Sequence, residues 1–145
     1  MSLRNLVGIS LDEIAASRET IARLLAGARR HIADAQATNI SGETRFGSAY
    51  LAIRMIADAG LNAHGYRVLT SKPGHHQTAI QSLPLTFGIA PDVVRTLDVL
   101  RRQRNVTEYS GEAVSDAAVE ECLAQARGLL DAATVWLRTH KPELL

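Results

Sequence analysis

Apolar residues recur at helical spacing along most of this chain, and that periodicity constrains its fold more than any other feature. One row runs Ile14, Ile21, Leu25, Ala28, Ile32, Ala35; a second runs Phe46, Tyr50, Ile53, Ala57, Gly60, His64; a third runs Val119, Leu123, Ala126, Leu130, Ala133, Leu137. Steps of three and four place each row on one face of a helix. Only 4% of residues are aromatic, and Ala and Leu dominate the rest of the apolar set, which suits close-packed helices better than a sheet. The spacing therefore predicts an all-α, up-and-down bundle of about five helices joined by short loops. The 145 residues form one domain, 1–145, long enough to bury a real core.

Capping and breaking residues set the expected boundaries. Ser10-Leu11-Asp12-Glu13 has capping-box spacing, which predicts a helix from near Leu11 to about Gln36. Thr38 to Gly42 reads as a loop, and a second helix runs from Glu43 to His64, with Gly65 as its stop. Ser48, Ala49, Ala52 and Ala59 are small enough for another helix to approach it closely. Tyr66 to Gly74 reads as the longest irregular stretch. A third helix runs from near His75 to about Phe87, and Pro84 should kink it or end it early. The next begins at Pro91, and Ser115 caps the last, leaving Thr139 to Leu145 as a frayed tail.

Charge and cysteine usage exclude several classes. A net charge of +1 excludes a globally basic nucleic-acid binder but allows a local patch, of which Arg101, Arg102 and Arg104 are the densest. Arg29 and Arg30 form a weaker one. The lone Cys122 excludes an internal disulfide framework and a cysteine-rich zinc site, and reads as a reduced, partly buried thiol. No apolar run approaches the ~18 residues of a membrane span. The N-terminus lacks signal-peptide layout, so a soluble, cytoplasmic protein is expected, without membrane association. There is no Gly-rich phosphate loop, nucleophile elbow or metal-ligand spacing. Adjacent His75 and His76 point about 100° apart on a helix and do not chelate. Neither a metal nor a cofactor is expected.

One position breaks the pattern. After Pro91, Val93, Leu97 and Leu100 fall at i, i+4 and i+7 on one face, and the next place on that face is Arg104. A guanidinium where a core side chain belongs needs a carboxylate, carbonyls or a bound anion to receive it. Two readings follow. Arg104 projects into a cleft and binds a phosphate or carboxylate, or it forms an internal salt bridge to Glu108 at i+4. Asn105, Glu108 and Tyr109 around it can all hydrogen-bond. Arg101 and Arg102 read as solvated charges that raise the local potential. The Tyr109 hydroxyl either donates to a phosphate or seals the turn against the last helix. One of His75 and His76 reads as a neutral hydrogen-bonding partner near its helix end, whereas His31, His64 and His140 read as structural or exposed.

Ser48-Ala49-Tyr50-Leu51-Ala52 on a helix, a histidine opening the third helix, then Leu100-Arg101-Arg102-Gln103-Arg104-Asn105-Val106-Thr107-Glu108-Tyr109, resembles the small stand-alone HEPN-domain proteins. In those, a helix ends in Arg-Asn/His-x-x-Asp/Glu-Tyr, followed by a Gly/Ser turn and an Ala/Glu-rich helix like Ser115 to Leu137 here. The resemblance spans about Thr44 to Leu137. It implies a homodimer whose Arg-bearing helix ends share a cleft, RNA or a nucleotide as ligand, and in many members ribonuclease activity paired with a small nucleotidyltransferase antitoxin. The family's signature is Arg, four to six residues, then His. Here the residue four beyond that gap's start is Tyr109, and no histidine follows any arginine at the required distance. Metal-independent RNA cleavage needs an acid and a base titrating near neutrality, which histidine supplies and a tyrosine near pKa ~10 does not. The expectation is a protein that binds RNA, a nucleotide or a nucleotidyltransferase partner through Arg104, Asn105, Glu108, Tyr109, Arg101 and His75 without efficient cleavage. The alternatives are a diverged ribonuclease using Arg104 and Tyr109 with His75 or His76, and a structural subunit without a ligand.

Overall fold

A computed structural model describes residues 2–145, 72% of them helical and 5% in strands, as an all-α bundle with one small ribbon. Its elements, in order, are β1 (Leu11–Glu13), α1 (Arg18–Ala35), α2 (Gly42–Ala63), β2 (Tyr66–Val68), α3 (His75–Gln81), α4 (Leu83–Thr86), α5 (Pro91–Ser110) and α6 (Asp116–His140). Short 3-10 turns, Leu3–Leu6 and Pro142–Leu144, lie at the two ends. No helix among the described residues is long and apolar enough to cross a membrane.

The expected start of the first helix is corrected. Residues Leu11 to Glu13 pair antiparallel with Tyr66 to Val68, with Leu11 opposite Val68 and Asp12 opposite Arg67. The backbone on either side is also engaged, Leu69 N–H donating to Ser10 C=O and Ile14 N–H to Gly65 C=O. With these groups already paired across the chain, the capping-box spacing at Ser10 has no helix to start. The working cap is Ser17, whose Oγ accepts from Thr20 N–H at 3.1 Å. The Ser17 N–H in turn donates to the buried Asn62 side chain at 2.9 Å, so α2 fixes where α1 begins.

Helix α2 is the centre of the bundle and packs against all five other helices and β2. Phe46, Ala49, Tyr50, Ala52, Ile53, Ile56, Ala57, Ala59 and Leu61 are all buried on it. Small residues let its neighbours come close. A Cβ on Gly27 of α1 would lie 3.0 Å from Met55 Sδ, and a Cβ on Gly60 would lie 2.8 Å from Thr86 Oγ1 and 2.9 Å from the Phe87 ring. Thr86 and Phe87 are themselves buried and cannot retreat. Gly60→Ala is therefore expected to lower unfolding free energy by about 1–3 kcal/mol, although Ala is the better helix former. Urea denaturation reads it, and a variant as stable as the parent would contradict this packing.

The break expected at Pro84 is present: α3 ends at Gln81, Ser82 separates it from α4, and Pro84 lies in the first turn of α4. His64, without an evident partner in sequence, is hydrogen-bonded through Nε2 to Thr86 C=O at 2.8 Å and stacks on Trp136. Helix α5 ends at Gly111, whose φ of 74° is a left-handed conformation suited to glycine. The expected frayed tail is corrected too. Helix α6 continues to His140, and Lys141 Nζ donates to the C-terminal carbonyl of α2 at Ala63, 2.7 Å away. Cys122 is fully buried against α2, and burial pushes its thiol up to about 12.

Candidate functional site

Arg104 is built by the second half of α5, Tyr50 and Arg54 by successive turns of α2, and His76 by the start of α3. These elements enclose a cleft of about 430 Å³ whose lining includes all four side chains together with Glu43 and Glu108. A gradient runs across it. Tyr50 is 2% exposed at the base; the side chains of Arg104 and Arg54 are 28% and 33% exposed; Glu108 is 50% exposed and Glu43 lies at the surface. The guanidinium groups are therefore deeper than the carboxylates.

Both readings of Arg104 contain part of the geometry. Its Nη2 pairs with Glu108 Oε2 at 2.8 Å, the expected i,i+4 contact. That pair is not closed into the core: the Arg104 guanidinium carbon lies 5.6 Å from the Tyr50 ring centroid, over the ring and inside the cleft. Half-exposed helix pairs of this kind are worth only about 0.3–0.5 kcal/mol. Glu108 can be displaced by a better anion at small cost.

The base of the cleft is short of acceptors. Arg54 Nη1 donates to His76 Nε2 at 3.0 Å, which makes His76 a neutral imidazole protonated on Nδ1. Arg54 Nε is 3.9 Å from Asp58 Oδ2, too far for a hydrogen bond. Among the described residues, two buried side-chain polar atoms have no hydrogen-bond partner, Arg54 Nε and the Tyr50 hydroxyl. Both can donate, and both belong to this one cleft. Leaving such a group unpaired costs about 1–3 kcal/mol, so two together mark a place where the fold gives up stability.

Titration behaviour follows from burial and the crowd of cations. Desolvation pushes Tyr50 up to about 12, outweighing the pull of Arg104, Arg101 and Arg54. Desolvation, then Arg54, His75, Arg104 and Arg101, brings His76 down to about 4. At neutral pH the tyrosine is a proton donor that stays protonated and the histidine an acceptor that stays neutral. Neither is matched to proton transfer near pH 7. What the base of the cleft presents is hydrogen-bond donors and positive charge.

The residues expected from sequence divide into three groups. Arg104 and Glu108 line the cleft. Asn105, Arg101 and His75 stand behind it: Asn105 Oδ1 is 3.5 Å from Arg104 Nη1, Arg101 Nε donates to Asp98 at 2.9 Å, and the His75 ring packs edge-on to His76 at 4.5 Å. Tyr109 is away from it, 82% exposed on the opposite side of α5, in line with the exposed Val99 and Val106. It neither lines the cleft nor seals the turn against α6. His76, not His75, faces the cleft.

From sequence Tyr50 reads only as part of an apolar row and of the family motif, and Arg54 and Asp58 do not stand out as site residues. The signal was present, since Tyr50, Arg54, Asp58 and Asn62 stand at intervals of four on one stripe of an otherwise apolar helix. A polar row of that length along a core face has to be satisfied by something across from it. Among the described residues no group of His, Cys, Asp and Glu could hold a metal ion. No protein-family model, curated protein or solved structure matches the chain.

Proposed function

We propose that this is a HEPN-like protein that binds RNA or a nucleotide, taking a phosphate into the cleft between Arg104 and Arg54. The observation that carries the reading is the pair of buried donors without a hydrogen-bond partner, the Tyr50 hydroxyl and Arg54 Nε, on two residues that line the cleft with Arg104, whose guanidinium lies over the Tyr50 ring. A phosphate offers several acceptor oxygens and a charge, which is what this base lacks and what two guanidinium groups receive best. The Tyr50 ring and the nearby Phe46 and Leu51 give the cleft apolar wall against which a sugar or base can lie. The motif order around Arg104 supports the same class of ligand.

A short fluorescein-labelled single-stranded RNA, titrated with the protein and followed by anisotropy, tests it. Binding should weaken with salt at a slope of about −1.4 in log–log form, as two phosphate contacts on a single strand give. Adenosine monophosphate should compete. An absence of saturable binding to both probes would remove the proposal.

A ribonuclease remains the second reading because His76 lines the same cleft as Arg104. Held near 4, His76 accepts a proton poorly and is hardly ever available to donate one at neutral pH. Cleavage of the same RNA, if seen on a gel, should be slow and should vanish in His76→Ala; undiminished cleavage in that variant would exclude this role.

A further inference from the structure

Behind Arg54 lies a second cleft, of about 410 Å³, between the N-terminal half of α1 and the ribbon strand β2. Its apolar walls are Ile14, Leu24 and Val68, and Asp58 and Asn62 of α2 contribute its polar lining. The Asp58 side chain is 26% exposed, and its ion pair with Arg54 spans 3.9 Å, beyond hydrogen-bonding distance. The other charged residue lining this cleft, Arg67, is turned to the ribbon, where it pairs with Asp12 at 3.1 Å with its side chain 64% exposed. Asn62 is also committed, its Oδ1 accepting from Ser17 N–H at 2.9 Å. Asp58 is thus a largely desolvated carboxylate that accepts no hydrogen bond from its nearest cation, Arg54, and opens onto a recess with apolar walls. The charge and the walls together match one ligand chemistry, an ammonium group carrying a short apolar body.

We propose that this second cleft binds a small protonated amine at Asp58, and that its occupancy strengthens anion binding in the first cleft through Arg54. The coupling follows from position. Arg54 lines the first cleft, Asp58 lines the second, and the two sit one turn apart on α2. While Arg54 is the ion-pair partner of Asp58, the carboxylate offsets the guanidinium charge that an incoming phosphate needs. An ammonium on Asp58 takes over that role and leaves the full Arg54 charge to the first cleft. Coupling between sites is reciprocal, so the anion tightens the amine by the same factor. The amine site stands on the second cleft alone, whereas the coupling rests on the phosphate reading given above.

The test uses n-pentylammonium chloride as the cation and 1-pentanol as its uncharged counterpart, each titrated into the full chain above pH about 7, where the carboxylate is ionised. Saturable amide shifts around Thr20, Leu24, Tyr66 and Val68 with the amine, weakened about tenfold or more in Asp58→Asn and with pentanol, are the expected result. No saturable shift, or equal binding by pentanol and by the Asp58→Asn variant, overturns the site. The second arm measures RNA affinity with and without the amine, sodium chloride holding ionic strength constant. A tightening of about fivefold or more in the parent, absent in Asp58→Asn, is expected. Unchanged RNA affinity with the amine bound overturns the coupling and leaves the site standing. If RNA does not bind at all, the phosphate reading and the coupling both fall, and the first arm still decides the amine site.

Discussion

Arg104→Ala is expected to weaken RNA binding by about ten- to a hundredfold while changing stability by less than about 0.5 kcal/mol. The two effects separate because of where Arg104 stands. Its protein partner, Glu108, is half exposed and returns to water cheaply when the guanidinium goes. Its place over Tyr50, by contrast, is inside the cleft, where a phosphate would have lost most of its water. A charge-assisted contact there is worth about 1.5–3 kcal/mol, which sets the expected fold-change. Arg104→Lys should recover only part of it, because an ammonium keeps the charge and loses the two-pronged geometry. Anisotropy and urea denaturation on the same preparations read both quantities. A large stability loss with unchanged RNA affinity would make Arg104 an architectural residue.

Asp58→Asn is expected to stabilise the fold by on the order of 2 kcal/mol above pH about 7 and to leave it unchanged near pH 4. Burial raises the Asp58 carboxyl to about 6, against the partial relief given by Arg54 and His75. The folded state therefore holds this proton more tightly than the unfolded chain does. Stability from this group is present in full below the ordinary carboxylate range and is lost as pH rises through about 6. His76 acts in the opposite sense: held down to about 4, it removes stability as pH falls below the ordinary imidazole range. Between those two values the folded protein carries its proton on Asp58 and the unfolded chain carries it on His76, so the two slopes oppose each other. Removing Asp58 should expose the His76 slope alone, a stability that falls steadily as pH is lowered from about 6.5 towards 4. Thermal denaturation across that range checks it. A variant whose stability relative to the parent does not depend on pH would mean that the Asp58 carboxyl titrates alike in the folded and unfolded chain.

How far the fold and the site were legible in sequence depended on where each signal was satisfied. Periodicity located α2, α5 and α6 because their apolar faces are long and their caps local: Ser115 accepts from Ala118 N–H as its spacing predicts. It misplaced the start of α1 because Leu11 to Glu13 is claimed by β2, more than fifty residues away, and no local pattern records that pairing. Arg104 was found because it interrupts an apolar row. Arg54 and Asp58 were passed over because α2 is apolar enough elsewhere to read as plain core. Tyr109 drew notice through its place in a motif, but its side chain faces solvent, since position on a helix and not adjacency in sequence decides what reaches a cleft.

On the proposed reading, the base of the first cleft is kept short of acceptors so that a phosphate can supply them. Tyr50→Phe tests it most directly, because it deletes a buried hydroxyl that has no partner in the protein and almost nothing else. Removing such a group should leave the melting temperature unchanged or raise it. If a phosphate accepts from that hydroxyl, RNA affinity should fall about tenfold in the same variant. Unchanged RNA affinity in a stably folded Tyr50→Phe protein would rule out a phosphate seated on that hydroxyl.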